Sequence, residues 1–463
     1  MSTRRIAHWP QTRIEVDADA VQGPLELWRH AFGHGGVNPH PLPQRVQRGL
    51  ARLEPRLVRV FIQEFFNVNP APGRLDFSRL DPYMDALAAT GAKVVAAICI
   101  KPRPLFPEID QRIWRPNDVN QWQQVIAEMV RRYSVEREIV THWEIGNEVD
   151  IGEHGGCPYL IRDPADYFAY YRMTIEPILD VFPEAKVGGP ANASVNNEPL
   201  PGFVRLCAEQ GAQLDFISHH LYHDDPSAHA RDAQQALKLV ADFPEPRPQI
   251  MVTEFSPGFE RASTQDQAFE PRRAACVGAS VLAMMHAGVD WSFHYHAWDQ
   301  VCDPADFAPF YAQPERIMGR HWNEIPHRFG LFGVDEEVRP AYFVYRIFSE
   351  MPAQRVHAAA DHQDVHLIAG RDDRRTSALL INYSVQAPAD RVACIHWRGL
   401  PRGHKRLSVY RVDEAQRWDA ERLELTPVEQ RTTFTTERYE CHVALPADAT
   451  CLVHLDALEE ARR

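Results

Sequence analysis

Two glutamates stand where apolar runs of the sequence end, and their type and placement point to acid–base chemistry. Glu148 follows the run Val140–Ile145, and Glu254 closes the run Gln249–Glu254. Two carboxyl groups that converge on one cleft can cleave a glycosidic bond, because one protonates the leaving oxygen while the other attacks the anomeric carbon or activates water. Asn147, beside Glu148, adds an amide that can bind a sugar hydroxyl. Either glutamate alone can also be explained as the partner of an arginine, although such apolar runs otherwise bury few charges.

Histidines cluster in two further stretches that could bind either a metal or a sugar. The stretch His219–His223 precedes two aspartates, and the stretch HYHAWD contains His294 and His296. Neighbouring residues of a strand alternate between its two faces, so these groups cannot all converge. Their spacing matches no specific metal motif such as HExxH. We therefore expect no metal and no cofactor, and we interpret the histidines as hydrogen-bonding partners of a sugar.

A segment rich in aromatic residues and proline, Trp298–Arg328, follows the last apolar run. It has little helical periodicity, and long loops of this kind often build the wall of a binding pocket. The apolar C–H faces of a sugar ring stack on aromatic rings, which makes Trp298 a candidate platform. Asp299 could accept a hydrogen bond from a sugar hydroxyl. The alternative for Trp298 is simple packing at the top of the fold.

The elements that position these residues alternate along the chain. Amphipathic segments, such as the helical stripe of Asp118–Tyr133, separate apolar runs of strand length. The runs are Trp28–Gly33, Leu57–Ile62, Lys93–Ile100, Val140–Ile145, Ala185–Gly189, Asp215–His220, Gln249–Glu254 and Asp290–His296. Eight strand–helix units predict an α/β fold, a (β/α)8 TIM barrel, whose active site lies at the C-terminal ends of the strands. An open, doubly wound sheet is the less favoured alternative, because no GxGxxG follows a strand.

The pattern changes after the barrel. Short β-like runs with turn residues between them replace the helical stripes, which predicts a C-terminal β-sandwich. The stretch Arg13–Ala18 is also β-like and can add a strand to it. We expect residues 19–350 to form the catalytic barrel, and residues 1–18 plus 351–463 to form a β-sandwich accessory domain.

Composition limits the classes of partner. The 463 residues contain 50 Lys and Arg against 63 Asp and Glu, a net charge of −13, which argues against binding nucleic acid. The sequence has neither an apolar run of membrane-spanning length nor an apolar signal core at its start. We therefore expect a cytoplasmic chain with no membrane partner. The eight cysteines form no CxxC pair and are interpreted as reduced thiols, and a homo-oligomer is left open.

The motifs at the two glutamates resemble those of a known family. THWEIGNE and IMVTEF, which end the fourth and seventh predicted strands, resemble the acid/base and nucleophile motifs of retaining glycosidases with (β/α)8 barrels. Within that clan the chain resembles glycoside hydrolase family 39, the family of β-xylosidases and α-L-iduronidases. The supporting stretches are Gly23–Gly36, Leu57–Val60, Asp215–Tyr222 and Gly330–Phe343. The resemblance spans roughly residues 12–350 and includes the trailing β domain of the xylosidase branch.

This resemblance implies roles for individual residues. Glu148 matches the general acid/base, and Glu254 matches the nucleophile. Asn147 matches the amide that binds the sugar 2-hydroxyl, and Arg59 matches an arginine that supports the nucleophile carboxylate. Family members usually have Arg-Phe-His on the second strand, where the histidine touches the sugar. Here Phe61 stands at that position, so we expect this contact to be lost or replaced.

The resemblance also bears on the sugar. His220 and Tyr222 match residues that line the glycone site from the sixth strand. The iduronidase branch has a lysine at the position of Tyr222, whereas the xylosidase branch has a tyrosine. A buried uronate needs a cationic partner, so we expect a neutral sugar such as xylose. Arg339 is the alternative source of such a charge.

Taken as a family member, the chain is expected to be a retaining, β-xylosidase-like exo-glycosidase whose partner is a carbohydrate substrate. It would release a terminal neutral sugar through a glycosyl-enzyme and need no cofactor. One alternative is an endo-acting polysaccharide glycosidase, although no export signal is visible. The other is a non-catalytic carbohydrate-binding barrel, against which the two glutamates and Asn147 argue.

Overall fold

Eight parallel strands form the centre of the molecule and close into a barrel. The computed structural model describes residues 8–258, 271–324 and 328–458. Strand β1 (Gln11–Pro24) belongs to a second sheet, and the barrel consists of β2 (His30–His34), β3 (Leu57–Ile62), β4 (Lys93–Ile98), β5 (Val140–Ile145), β6 (Lys186–Asn192), β7 (Phe216–Tyr222), β8 (Gln249–Ser256) and β9 (Trp291–Tyr295). Parallel pairing of β2 with β9 closes the ring. The predicted barrel is confirmed, and the open-sheet alternative is wrong.

A helix follows each barrel strand. These helices are α1 (Gln44–Ala51), α2 (Leu80–Ala88), α3 (Val119–Val130), α4 (Pro164–Val181), α5 (Leu200–Gln210), α6 (Pro226–Leu239), α7 (Pro271–Ala287) and α8 (Pro340–Glu350). Asp118 caps α3 by accepting a hydrogen bond from the backbone nitrogen of Gln121, as its residue type favours. In α4 the N-cap is Asp163, because Pro164 takes the first helical position and Asp166 already lies within the first turn.

Alternation along each strand divides its side chains between the barrel interior and the helix layer. In β3, Val58 and Val60 join the large core beneath the helices, whereas Leu57 and Phe61 belong to small apolar clusters inside the barrel. Arg59 lies between these two interior positions and therefore also points inward. A charged side chain in such an interior requires partners of opposite charge.

The second sheet forms the predicted C-terminal β-sandwich. Its strands are β1 and the following eight: β10 (Gln354–Ala360), β11 (Val365–Arg371), β12 (Arg375–Asn382), β13 (Arg391–Arg398), β14 (Gly403–Val412), β17 (Glu429–Thr435), β18 (Arg438–Leu445) and β19 (Thr450–Ala457). They pair in the order β17-β14-β19-β12-β11-β10-β1-β13-β18. Two short strands, β15 (Trp418–Asp419) and β16 (Glu424–Leu425), pair separately with each other. Ile14 and Trp397 from one half share an apolar cluster with Leu380 and Val453 from the other, so the sheet folds over itself.

Strand β1, near the start of the described chain, is embedded in this sandwich. Strand β1 pairs antiparallel with β10 and parallel with β13, so it lies inside the sheet rather than at its edge. The predicted strand at Arg13–Ala18 is confirmed. The sandwich in turn packs on the barrel, since Leu379, Ile381 and Leu452 belong to the same apolar core as α7 and α8. Gly278 of α7 allows this approach, because a Cβ there would meet Ile381 Cδ1 at 2.8 Å.

The structure also describes the state of the cysteines and the character of the helices. All eight cysteines are buried free thiols. Among the helices that the structure describes, none combines the length and the apolar character needed to cross a membrane.

Candidate active site

One cavity lies at the C-terminal ends of the barrel strands, where the loops that follow the strands meet. It has a volume of about 300 Å³ and is lined by Glu148, Glu254, Asn147 and Tyr222, among others. This is the end of a (β/α)8 barrel at which active sites are found. A larger cavity, of about 380 Å³, lies around Trp28 at the opposite end and contains neither glutamate.

Glu148 is held beyond the end of β5 by a sharp turn. The backbones of Gly146 (φ 94°) and of Glu148 itself (φ 44°) are left-handed. The amide of Glu148 donates to the carbonyl of Ala191 in β6, at 2.7 Å. A glutamate in this backbone region is uncommon and often marks a functional position. The turn places Oε1 of Glu148 2.8 Å from Nδ1 of His220.

Glu254 lies near the end of β8, and both of its carboxylate oxygens have partners. Nη1 of Arg59 donates to Oε1 at 2.7 Å, and the hydroxyl of Tyr222 donates to Oε2 at 2.5 Å. Nδ1 of His220 lies 3.6 Å from the same Oε2. The side chain of Glu254 is only 8% exposed. Hydrogen bonds from a charged donor and a hydroxyl stabilise its ionised form.

Arg59 ties the end of β5 to the end of β8. It is completely buried and donates to Glu144 at 2.6 Å, to Glu254 at 2.7 Å and to Asn147 Oδ1 at 2.7 Å. The structure thus places Arg59 beside the carboxylate that the resemblance implies it supports. Glu144 was not predicted to belong to the site. The sequence pattern could have indicated it. Trp143 and Ile145 on either side face the helix layer, so Glu144 between them must face the barrel interior.

The two glutamates are close enough for a double-displacement geometry. One carboxylate oxygen of Glu148, one of Glu254 and a ring nitrogen of His220 all lie within 4.8 Å of one another. Retaining glycosidases hold their two carboxyl groups about 5–5.5 Å apart, whereas inverting enzymes need about 6.5–9.5 Å to admit a water. One oxygen of each glutamate thus lies nearer to the other than the inverting spacing, which favours the retaining class.

The surroundings of Glu148 and Glu254 shift the pKa of their two carboxyl groups to different extents. Burial raises the pKa of Glu148 well above its usual range, and the negative charge of Glu254 raises it further. Burial also raises the pKa of Glu254 above its usual value, although Arg59 and the hydroxyl of Tyr222 offset part of that rise. Burial lowers the pKa of His220 well below its usual value, so this imidazole is neutral. Glu254 therefore ionises first, and Glu148 keeps its proton longer.

Glu148, His220 and Glu254 are also of the types that bind metal ions. The guanidinium of Arg59, however, lies 2.7 Å from Glu254 and repels a cation at this position. Both oxygens of Glu254 already accept hydrogen bonds. The arrangement therefore favours acid–base chemistry over metal binding.

Trp298 and Asp299 both have partners within the protein. Among the residues that the structure describes, neither lines the cavity. Trp298 stacks on His34, with 6.2 Å between the ring centroids. Asp299 is buried and pairs with Arg339 at 2.6 Å. Although burial by itself raises the pKa of Asp299, Arg339 and His296 hold it below its usual value, so this carboxylate serves the fold.

Residues other than Trp298 form the aromatic and polar wall of the cavity. Trp322, from the same aromatic-rich segment, lines the cavity together with Phe61 and Gln63. The amide of Gln63 donates to the carbonyl of Gly156 at 2.8 Å. Sequence reasoning missed Gln63, although its spacing from Arg59 and Phe61 follows the period of two along one face of a strand.

A closed (β/α)8 barrel whose fourth and seventh strands bring two glutamates to one cavity is the architecture of the two-carboxylate barrel glycosidases. The chain belongs to the glycosyl hydrolases family 39, whose family model matches residues 13–419. This confirms the family that the motifs suggested.

Individual relatives are distant. A curated beta-xylosidase from Geobacillus stearothermophilus is 21% identical over 339 residues, which cover 66% of this chain and 62% of the relative. The chain thus spans about three fifths of the length of this relative. The crystal structure of a monomeric beta-xylosidase from Caulobacter crescentus CB15 has a TM-score of 0.75 and 18% identity, covering 96% of this chain and 100% of the other. A glucosidase structure from Croceicoccus marinus has a TM-score of 0.75 and 17% identity, covering 97% and 99%. At these identities the structures establish a common fold.

Proposed function

We propose that this protein is a retaining exo-glycosidase of the β-xylosidase type. The observation that carries the proposal is the pair Glu148 and Glu254, whose oxygens lie within 4.8 Å of each other in one cavity and whose surroundings differ in charge. Arg59 and Tyr222 favour the carboxylate form of Glu254, whereas Glu148 has a neutral histidine beside it. One group is thus prepared to attack and the other to donate a proton.

The reaction follows from these two states. Glu254 attacks the anomeric carbon while Glu148 gives its proton to the glycosidic oxygen, so the C–O bond breaks and the aglycone leaves as an alcohol. Glu148, now ionised, takes a proton from a water whose oxygen attacks the anomeric carbon and releases Glu254. Two inversions give a sugar of retained configuration. Asn147, whose Oδ1 accepts from Arg59 and whose Nδ2 donates one hydrogen to the carbonyl of Gly155, would donate its second Nδ2 hydrogen to the 2-hydroxyl oxygen.

A terminal, neutral sugar fits the cavity best. Among the described residues that line it, none is a lysine or an arginine. Arg339, the alternative partner for a uronate, is paired with Asp299 at 2.6 Å. A volume of about 300 Å³ lies at the lower end of the range for ligand pockets, which favours one glycone over a polysaccharide groove. The matched relatives described as beta-xylosidases support xylose as the first candidate.

The test is a panel of nitrophenyl glycosides with the wild type and two variants. Glu254→Ala is expected to abolish hydrolysis of every substrate. Glu148→Ala is expected to spare substrates with good leaving groups, which need little protonation, and azide should then yield a glycosyl azide of retained configuration. Glu209→Ala, which changes an exposed glutamate of α5, is the control. A first-formed product of inverted configuration, or Glu254→Ala within about tenfold of wild type, overturns the mechanism.

The sugar is tested by competition between a nitrophenyl xyloside and the matching uronide. We expect kcat/KM to favour the xyloside. Preference for the uronide overturns the neutral-sugar assignment. Turnover of neither, with turnover of a glucoside, arabinoside or galactoside, replaces xylose with that sugar.

A further inference from the structure

A short turn, Gly152–Gly155, lies directly against the carboxyl group of Glu148. A Cβ atom added to Gly155 would lie 2.0 Å from Oε2 of Glu148, 2.5 Å from its Cβ and 2.9 Å from its Cδ. Real Cβ atoms essentially never come within 3.0 Å of another heavy atom. The backbone of Gly155 lies outside the left-handed region, so its conformation accepts any residue. The neighbouring side chain of Glu148, from its Cβ to its carboxyl group, is therefore what requires glycine here, and not the backbone conformation of Gly155.

The turn is fixed in this place by hydrogen bonds from both sides of the cavity. Nδ2 of Asn147 donates to the carbonyl of Gly155 at 2.9 Å, and Nε2 of Gln63 donates to the carbonyl of Gly156 at 2.8 Å. The carbonyl of Glu148 itself accepts from the backbone nitrogen of Gly152 at 2.8 Å. Gln63 is 1% exposed, so its bond is shielded from water. The turn is therefore a rigid surface beside Glu148.

We propose that Gly155 is a positioning residue for the acid–base step. Its bare backbone closes one side of the Glu148 carboxyl group, excludes water there and keeps the carboxyl turned toward the cleft. Gln63 acts as the clamp that holds the turn in contact. This inference rests on the proposed function, since it assigns a partner to the group that donates the proton.

The leaving-group dependence of kcat/KM tests the proposal, because this parameter reports the first chemical step. In Gly155→Ala the new methyl group forces the carboxyl away. An alkyl glycoside, which needs protonation, should lose at least about 100-fold, whereas a dinitrophenyl glycoside should lose less than about 10-fold. The alkaline limb of the pH profile should move to lower pH, because a more exposed Glu148 loses part of the burial that raises its pKa.

Two further variants separate positioning from general damage to the fold. Gln63→Leu releases the turn without a clash and should give the same selective loss, smaller in size. Gly156→Ala strains the backbone of the residue that follows the turn, whose φ is 68°, but its Cβ would contact nothing within 4 Å. Any loss of activity in Gly156→Ala should therefore be equal for the alkyl glycoside and the dinitrophenyl glycoside.

The outcomes discriminate between the two proposals. Equal losses on both substrates in Gly155→Ala, with an unmoved alkaline limb, overturn the role of Gly155. The same selective pattern in Gly156→Ala also overturns it. A wild type inactive on every glycoside of the panel instead refutes the proposed function itself.

Discussion

Replacing Arg59 with methionine tests how the proposed site separates its two carboxyl groups. Arg59 is completely buried and donates to Glu144 and Glu254, whose side chains are 0% and 8% exposed. Methionine keeps much of the apolar length of the side chain but removes the charge and all three hydrogen bonds. Arg59→Met therefore leaves two buried carboxyl groups without a cation beside them.

Arg59→Met is expected to lower both the stability and the activity of the protein. Removing one partner of a buried ion pair destabilises a protein by about 3–5 kcal/mol. With an unfolding entropy of about 2.1 cal/mol/K per residue, the 463 residues correspond to about 1 kcal/mol per degree, so Tm should fall by about 3–5 °C. For activity, the charge pair at about 4 Å and an effective dielectric constant of about 20 contributes about 4 kcal/mol. Its loss corresponds to about a thousandfold in kcat/KM at neutral pH.

The pH profile of kcat/KM distinguishes this explanation from simple misfolding. Its acid limb reports ionisation of Glu254, which must be a carboxylate to attack. Arg59 lowers the pKa of Glu254 and Glu144 raises it. Arg59→Met should therefore move the acid limb to higher pH, and Glu144→Gln should move it to lower pH. An unmoved acid limb in both variants, or Arg59→Met within about tenfold of wild type, refutes this reasoning.

Three other predictions use simpler measurements. Tyr222→Phe removes the hydrogen bond at 2.5 Å to Glu254 and should lower kcat about 10–100-fold while moving the acid limb to higher pH, as a pH–rate profile will show. Asp299→Asn removes the ion pair with Arg339 at 2.6 Å while Arg339 keeps Glu337 at 3.3 Å, so denaturant unfolding should show a loss of about 1–3 kcal/mol, with KM unchanged because Asp299 does not line the cavity. The native chain should react slowly with a thiol reagent and expose all eight cysteines only in denaturant, because burial raises the pKa of thiols such as Cys157 and Cys451 to about 12.

The barrel could be predicted from sequence because its signal is local and repeated. Each parallel strand is buried on both faces and therefore appears as a continuous apolar run, as in Leu57–Ile62. The strand at Arg13–Ala18 was also recognisable, but its neighbours were not. It pairs with β10 and β13, more than 300 residues further along the chain, and no local pattern contains such a pairing.

The surroundings of the glutamates were only partly predictable for the same reason. Glu148 lies just beyond the end of β5 and Glu254 near the end of β8, and the sequence shows both placements directly. Trp298 and Trp322 both lie in a segment without periodicity, where the local pattern does not tell which side chain turns toward the cavity. Glu144 was overlooked because a glutamate within an apolar strand has no partner in the sequence. Its partner, Arg59, lies 85 positions away and meets it only when the barrel closes.

The roles proposed for the two glutamates follow from where one buried cation lies. Burial raises the pKa of both carboxyl groups, so burial alone favours the neutral acid at both positions and opposes the formation of a nucleophile. Arg59 contacts Glu254 directly but reaches Glu148 only through the field of its charge, because the three hydrogen bonds of its guanidinium go to Glu144, Glu254 and Asn147. The inward-facing register of β3 puts this charge next to β8, and the turn after β5 lifts Glu148 beyond its reach. The proposed nucleophile and the proposed acid are thus distinguished by the fold, since the side chains themselves are chemically identical.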